Sequence, residues 1–172
     1  MPFIPFGVKE FHKVKDKEWP LPPGDGHFLG TDEQGRDIIA QLVYGFRIAF
    51  FYSLIVLILT FIIGIILGCL MGFWGGVFDL FFQRLIEVWA NMPYLYAIMI
   101  VASLVGTSFT SLVFISVFFS WTTMTWYMRT AAYKEKSRDY VMAAKALGAS
   151  DWRIISKHII PNTITLVITF AP

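Results

Sequence analysis

The sequence is short of charge. Charged residues make up 15% of its 172 positions, against about 25% in an ordinary soluble domain. Together with 56% hydrophobic residues, this excludes a disordered chain, which needs high charge and low hydrophobicity. Cysteine is nearly absent. Cys69 alone excludes an intrachain disulfide framework and a cysteine-based zinc cluster. The histidines, His12, His27 and His158, have neither metal-ligand spacing nor a neighbouring cysteine, so no metal is expected. No serine stands in a nucleophile-elbow pattern, which leaves catalysis without candidates. The net charge of +2 is too small for a nucleic-acid partner. Gly30 and Gly35 have the spacing of a phosphate loop, but the Lys and the Ser or Thr that would reach phosphate and magnesium are missing. The remaining class is a membrane protein whose first partner is the lipid bilayer.

The charges are missing in long blocks. Residues 48–78 carry none, and 48–73 alone hold 17 Ile, Leu, Phe and Val residues. A bilayer core of about 30 Å needs roughly 20 helical residues, so 48–73 is expected to span it. Residues 88–128 are a second charge-free block, of 41 residues. As one helix it would be about 60 Å long, twice the core, so it must fold back. The turn signal is Val105-Gly106-Thr107-Ser108, which predicts spans over 85–105 and 109–129. An apolar run over 162–172 is too short to cross. The expected fold is therefore all-α and polytopic, with three spans, a fourth cut at Pro172 and an earlier one lost before Met1.

Orientation follows from Lys and Arg. Between Arg129 and His158 there are seven of them against three acids, which places the 130–161 loop in the cytoplasm. The Gly106 turn is then outside, the Gly72–Asp79 turn inside and residues 1–47 outside. Pro2, Pro5, Pro20, Pro22 and Pro23 predict an extended N-terminal segment. Thr31 with Gln34 matches a capping box, which predicts an interfacial helix from about residue 32, its apolar face made by Ile38, Ile39, Leu42, Val43 and Phe46.

Within the spans, Gly64, Gly68, Gly72 and Gly76 recur every fourth residue. On a helix they form a smooth stripe for close packing. Arg84 and Glu87 can pair at i, i+3. Asn91 and Pro93 sit where a kink is expected, either a hinge or static packing. Ser116, Ser120 and Thr123 share a face that either bonds a neighbouring helix or lines an aqueous path. The middle thirds of the spans hold no ionisable residue, which argues against a self-powered carrier.

The cytoplasmic loop is the most informative segment. Ser137 or Asp139 can cap a helix over Tyr140–Leu147. Gly148 can end it in a left-handed conformation. Ser150 can cap a second helix reaching His158, and Pro161 precedes the next span. By itself this hairpin is either a docking element or plain surface. Ala143-Ala144-Lys145-Ala146-Leu147-Gly148, with Pro161 thirteen residues after the glycine, resembles the EAA loop of permease subunits in ABC importers. Met142 stands at the family's Glu position and Ile160 at its usual Leu. His27-Phe28-Leu29-Gly30-Thr31-Asp32 with Gly35-Arg36-Asp37, and Phe73 through Asp79, resemble the second permease of dipeptide, oligopeptide and nickel importers. Arg84 through Trp89 with Met92-Pro93 is most similar to the Yej-type branch, associated with oligopeptide and microcin C uptake.

The resemblance implies a partial permease domain over 48–172 in the bacterial inner membrane, following an extracytoplasmic segment over 1–47. It implies a docking surface for a cytoplasmic ATPase made by Tyr140, Ala143, Ala144, Leu147, Gly148, Ala149 and Asp151. ATP and magnesium would sit on that partner, leaving this chain without a cofactor and without enzymatic activity. A second permease subunit would complete the pore, and a substrate-binding protein would deliver peptide outside. The alternatives are a channel or ion-coupled carrier subunit, or a truncated permease without function.

Overall fold

A computed structural model of the chain describes residues 7, 20–24, 26–106 and 108–170. The expected extended stretch over the first prolines falls almost wholly outside them, as do His12, Thr107 and Pro172. Among the described residues there are seven α-helices and no strand. The chain divides into two compact units, Met1–Leu54 and Ile55–Pro172.

In the first unit, helix α1 (Ile38–Trp74) begins six residues later than the capping-box signal predicts. Thr31 does not cap a helix. Its hydroxyl accepts the Leu21 amide at 3.0 Å. The Asp32 carboxylate instead accepts the Gln34 and Arg36 amides, each at 2.9 Å. Those bonds close a turn that competes with helix initiation. Asp37 is the true cap, accepting the Ala40 amide at 2.8 Å. The helix expected to lead into the first span is continuous with it. Ile38 through Phe46 are the opening turns of α1, which runs unbroken for 37 residues, about 55 Å.

In the second unit, α4 (Phe109–Glu135) is the central element, in contact with α2, α3 and α7. It is longer than the predicted 109–129 span. The predicted span over 85–105 is two helices, α2 (Gly76–Ala90) and α3 (Tyr94–Val105), bent by 85° where they meet. Pro93 lacks an N–H and disfavours helical conformation before it. Asn91 closes the end of α2, its backbone and side-chain amides both donating to the Glu87 carbonyl, at 3.2 and 2.7 Å. The break is thus sharper than the expected kink. Helices α1 and α4 are each long and apolar enough to cross a membrane, and the α2–α3 pair together has the length and composition of one more crossing.

The loop forms α5 (Asp139–Ala146) and α6 (Asp151–Ile154). Neither Ser137 nor Asp139 caps α5; Arg138 occupies that position without a side-chain bond. Ser150 precedes α6, also without one. The second helix does not stop at His158. One wide π turn over Ile155–Ile159 carries it into α7 (Ile160–Phe170). The Ile160 amide reaches back five residues to Ile155, and this wider turn leads into Pro161, which has no amide to bond.

The core ties loop to membrane helices. Cys69 and Phe73 of α1, Met124, Met128 and Ala132 of α4, Val141 of α5, and Ile154, Ile155 and Ile159 form one buried cluster. A second joins Met71, Ile86 and Trp121. Phe50, Ile62, Leu80, Phe81, Leu95 and Leu104 are exposed, an apolar surface suited to lipid rather than water.

Candidate functional site

The α5–α6 hairpin sorts its residues by face. Val141 is 2% exposed and anchors it. Ala144 and Ala149 pack inward against the buried cluster. Ala143 and Met142 face outward, and Leu147 is 88% exposed. Gly148 has φ +79, the left-handed conformation that lets the chain leave α5 without a Cβ penalty. A Cβ there would meet nothing within 4 Å, so its surroundings are open. Leu147 and Met142 thus give the hairpin an apolar outer face.

Polar contacts hold the hairpin, among them the Arg138–Glu135 pair at 3.6 Å. Asp151 accepts the Trp74 indole N–H at 3.0 Å, linking α6 to the end of α1. The Tyr140 hydroxyl donates to Glu135 at the end of α4. Burial and the Glu135 carboxylate push the Tyr140 phenol up to about 12, so it remains a donor at neutral pH. Tyr140 therefore braces α5 and lies 6.1 Å from the His158 ring.

The glycine stripe meets α4 at three of its four positions. A Cβ on Gly64 would stand 2.6 Å from the Met124 Cβ, and one on Gly68 2.5 Å from the Thr125 carbonyl oxygen. One on Gly72 would collide with the Arg129 carbonyl. Gly76 does not belong to the stripe. It opens α2 with φ +58, and a Cβ there would meet nothing within 4 Å. The reason is Gly75, also at positive φ, which ends the period that the sequence spacing continues on paper.

The polar face of α4 is graded. Ser116 is buried, Ser120 half-buried and Thr123 exposed. Arg84 and Glu87 form the expected pair at 2.6 Å on an exposed surface. The main polar link between helices was not evident from spacing. Arg129 donates to both oxygens of Asp79 at 2.5 and 2.7 Å, with its guanidinium also 5.3 Å from the Trp126 ring centroid. This fork joins α4 to α2 across 50 residues of sequence. The visible hint was that Asp79 and Arg129 each end a charge-free block. Trp89 adds a second link, its indole N–H donating to the Phe118 carbonyl at 3.1 Å. Among the described residues no group of three potential metal ligands occurs.

The arrangement is thus a packed helical unit with a short, apolar-tipped hairpin bonded to the ends of two membrane-length helices. The sequence profile described as "Binding-protein-dependent transport system inner membrane component" matches residues 64–172. The chain is 37% identical over 169 residues to the "Inner membrane ABC transporter permease protein YejE" of Escherichia coli (strain K12), covering 98% of this chain and 50% of that protein. It is 38% identical over 149 residues to the "Peptidoglycan transport system permease protein YejE" of Agrobacterium fabrum, covering 87% and 39%. It is 35% identical over 148 residues to the "Dipeptide transport system permease protein DppC" of Bacillus subtilis, covering 86% and 46%. The chain spans about half the length, or less, of these curated relatives.

Proposed function

The chain belongs to the family of binding-protein-dependent transport system inner membrane components, and on that premise we propose that it forms part of the translocation pathway of an ATP-driven peptide importer. It is a multi-pass helical protein of the bacterial inner membrane. Peptide is the proposed cargo because dipeptide and oligopeptide permeases stand among the relatives. In this reading the α5–α6 hairpin faces the cytoplasm and docks on a separate ATPase, which carries ATP and magnesium. A second permease subunit supplies the other half of the pore, and a binding protein delivers peptide outside.

The observation that carries the docking proposal is Leu147, 88% exposed at the tip of a hairpin whose other face is locked into the core. A push on that tip would be passed to α1 and α4 through Asp151–Trp74 and Tyr140–Glu135. The test is co-purification of the ATPase with the full-length protein, together with peptide uptake. Leu147→Glu should cost little in folding, since the side chain is in water. It is expected to reduce ATPase recovery at least about tenfold, the effect of losing a well-packed anchor. Gly148→Trp should uncouple uptake from ATP hydrolysis while insertion persists. Normal uptake in both variants would sink the docking role.

A further inference from the structure

A cleft of 670 Å³ opens between the ends of α1 and α4 and the side of α5. Phe73, Trp74, Val141 and Met142 give it an apolar floor, and Lys136 and Lys145 line it. Lys136 is half-buried, its ammonium 3.8 Å from where a Gly75 Cβ would stand. Among the described residues neither lysine makes an ion pair. The one carboxylate in the lining, Asp151, accepts the Trp74 indole N–H. Position 142 lies three residues before Lys145, the spacing at which an acid would pair with it on the helix. It is a methionine, so the lining carries two lysines against the single carboxylate of Asp151.

The level of the cleft matters as much as its charge. Trp74 closes α1, and Tyr133 and Lys136 close α4. Aromatics and lysines at the ends of spans mark the boundary between acyl chains and headgroups. Trp74 and Tyr133, which line the cleft, are 49% and 68% exposed, an apolar approach from the bilayer side.

We propose that this cleft seats the phosphate of an anionic phospholipid headgroup, held between the Lys136 and Lys145 ammonium groups. Met142 and Trp74 would lie against the glycerol and the upper acyl chain. Basic pockets beside membrane helices on the cytoplasmic side suit such headgroups, so the inference rests on the cytoplasmic placement of the hairpin. A lipid would thereby occupy the joint through which the hairpin is fixed to α1 and α4.

Native mass spectrometry of the full chain, released from detergent after incubation with phosphatidylglycerol or phosphatidylcholine, tests the proposal without any ATPase present. Phosphatidylglycerol should be retained preferentially. The double variant K136A/K145A should lose most of that preference, each lysine contributing about fivefold. Met142→Glu should weaken it too, by pairing with Lys145 while leaving the lysines in place. Unchanged helical circular dichroism separates these effects from misfolding. Equal retention of the two lipids, or a preference unaffected by all three substitutions, would overturn the proposal. Competition by millimolar inorganic phosphate would show a free-anion site instead, and displacement of the lipid by added ATPase would show that an acidic side chain of that partner is the occupant. Failure of lipid retention with ATPase recovery intact would leave the docking role standing, and the reverse result would leave the lipid site standing.

Discussion

Asp37 is 3% exposed, and both of its carboxylate oxygens are engaged. One accepts the Ala40 amide that opens α1, and the other takes the His27 Nδ1–H at 2.6 Å. Nearby, Asp32 accepts bonds from Gln34, Arg36 and Gln41. Led by the Arg36 amide, these bonds hold its carboxyl at about 2, so the turn is fully charged at physiological pH. The segment that resembles a permease motif therefore has a local structural role, because it starts α1 and folds the chain back onto Leu21. Asp37→Ala should cost about 1 kcal/mol for the cap and roughly 1–3 kcal/mol for the buried bond to His27. Asp37→Asn, which still caps, should recover the first of these. Hydrogen exchange at the Ala40 amide, compared between the two variants, checks the division. Spacing nominates Thr31 for the cap, but Asp37 takes it. What distinguished them was Leu21, ten residues upstream, which claims the Thr31 hydroxyl.

Helix pairing is decided by contact distance. Hydrocarbon surrounds both folded and separated helices in a bilayer, so burying one more leucine gains little there; close backbone approach gains dispersion. Gly64, Gly68 and Gly72 give α1 that approach to α4. Gly68→Leu, which would place a Cβ 2.5 Å from the Thr125 carbonyl, should destabilise the pair by at least roughly 1–3 kcal/mol. Gly45→Ala, on the same helix with nothing within 4 Å of the added methyl, should be neutral or stabilising by about 0.5–1 kcal/mol. Thermal unfolding in detergent distinguishes them: a lower Tm for Gly45→Ala, or an unchanged one for Gly68→Leu, would contradict the close-packing account. The four-residue period was legible in the sequence, but its end was not, because Gly75 and Gly76 leave helical conformation there. Likewise Pro93 announced a bend. Its 85° extent depends on α4, which holds Trp89 on one side of the break and Tyr94 on the other.

At the scale of the molecule, the proposed topology puts the α3–α4 turn outside and the α5–α6 hairpin in the cytoplasm. Cys69 is the sole cysteine and fully buried, so introduced cysteines should report without background. Val105→Cys should react with a membrane-impermeant maleimide in intact cells, and Leu147→Cys only after permeabilisation. The opposite pattern would reverse the orientation drawn from Lys and Arg. The sequence by itself determined the solvent this protein folds in, its helical class, and the place of its hairpin. A missing charge over 20 or more residues and a glycine–proline spacing are local signals, and the bilayer enforces them directly. Tertiary structure alone decided which oxygen caps α1, that one apparent span is two helices, and that Asp79 meets Arg129. It also decided that Met142 lines one cleft with Lys136 and Lys145. Each of these depends on which distant group arrives first at a donor, a carbonyl or a charge, and no periodicity encodes that.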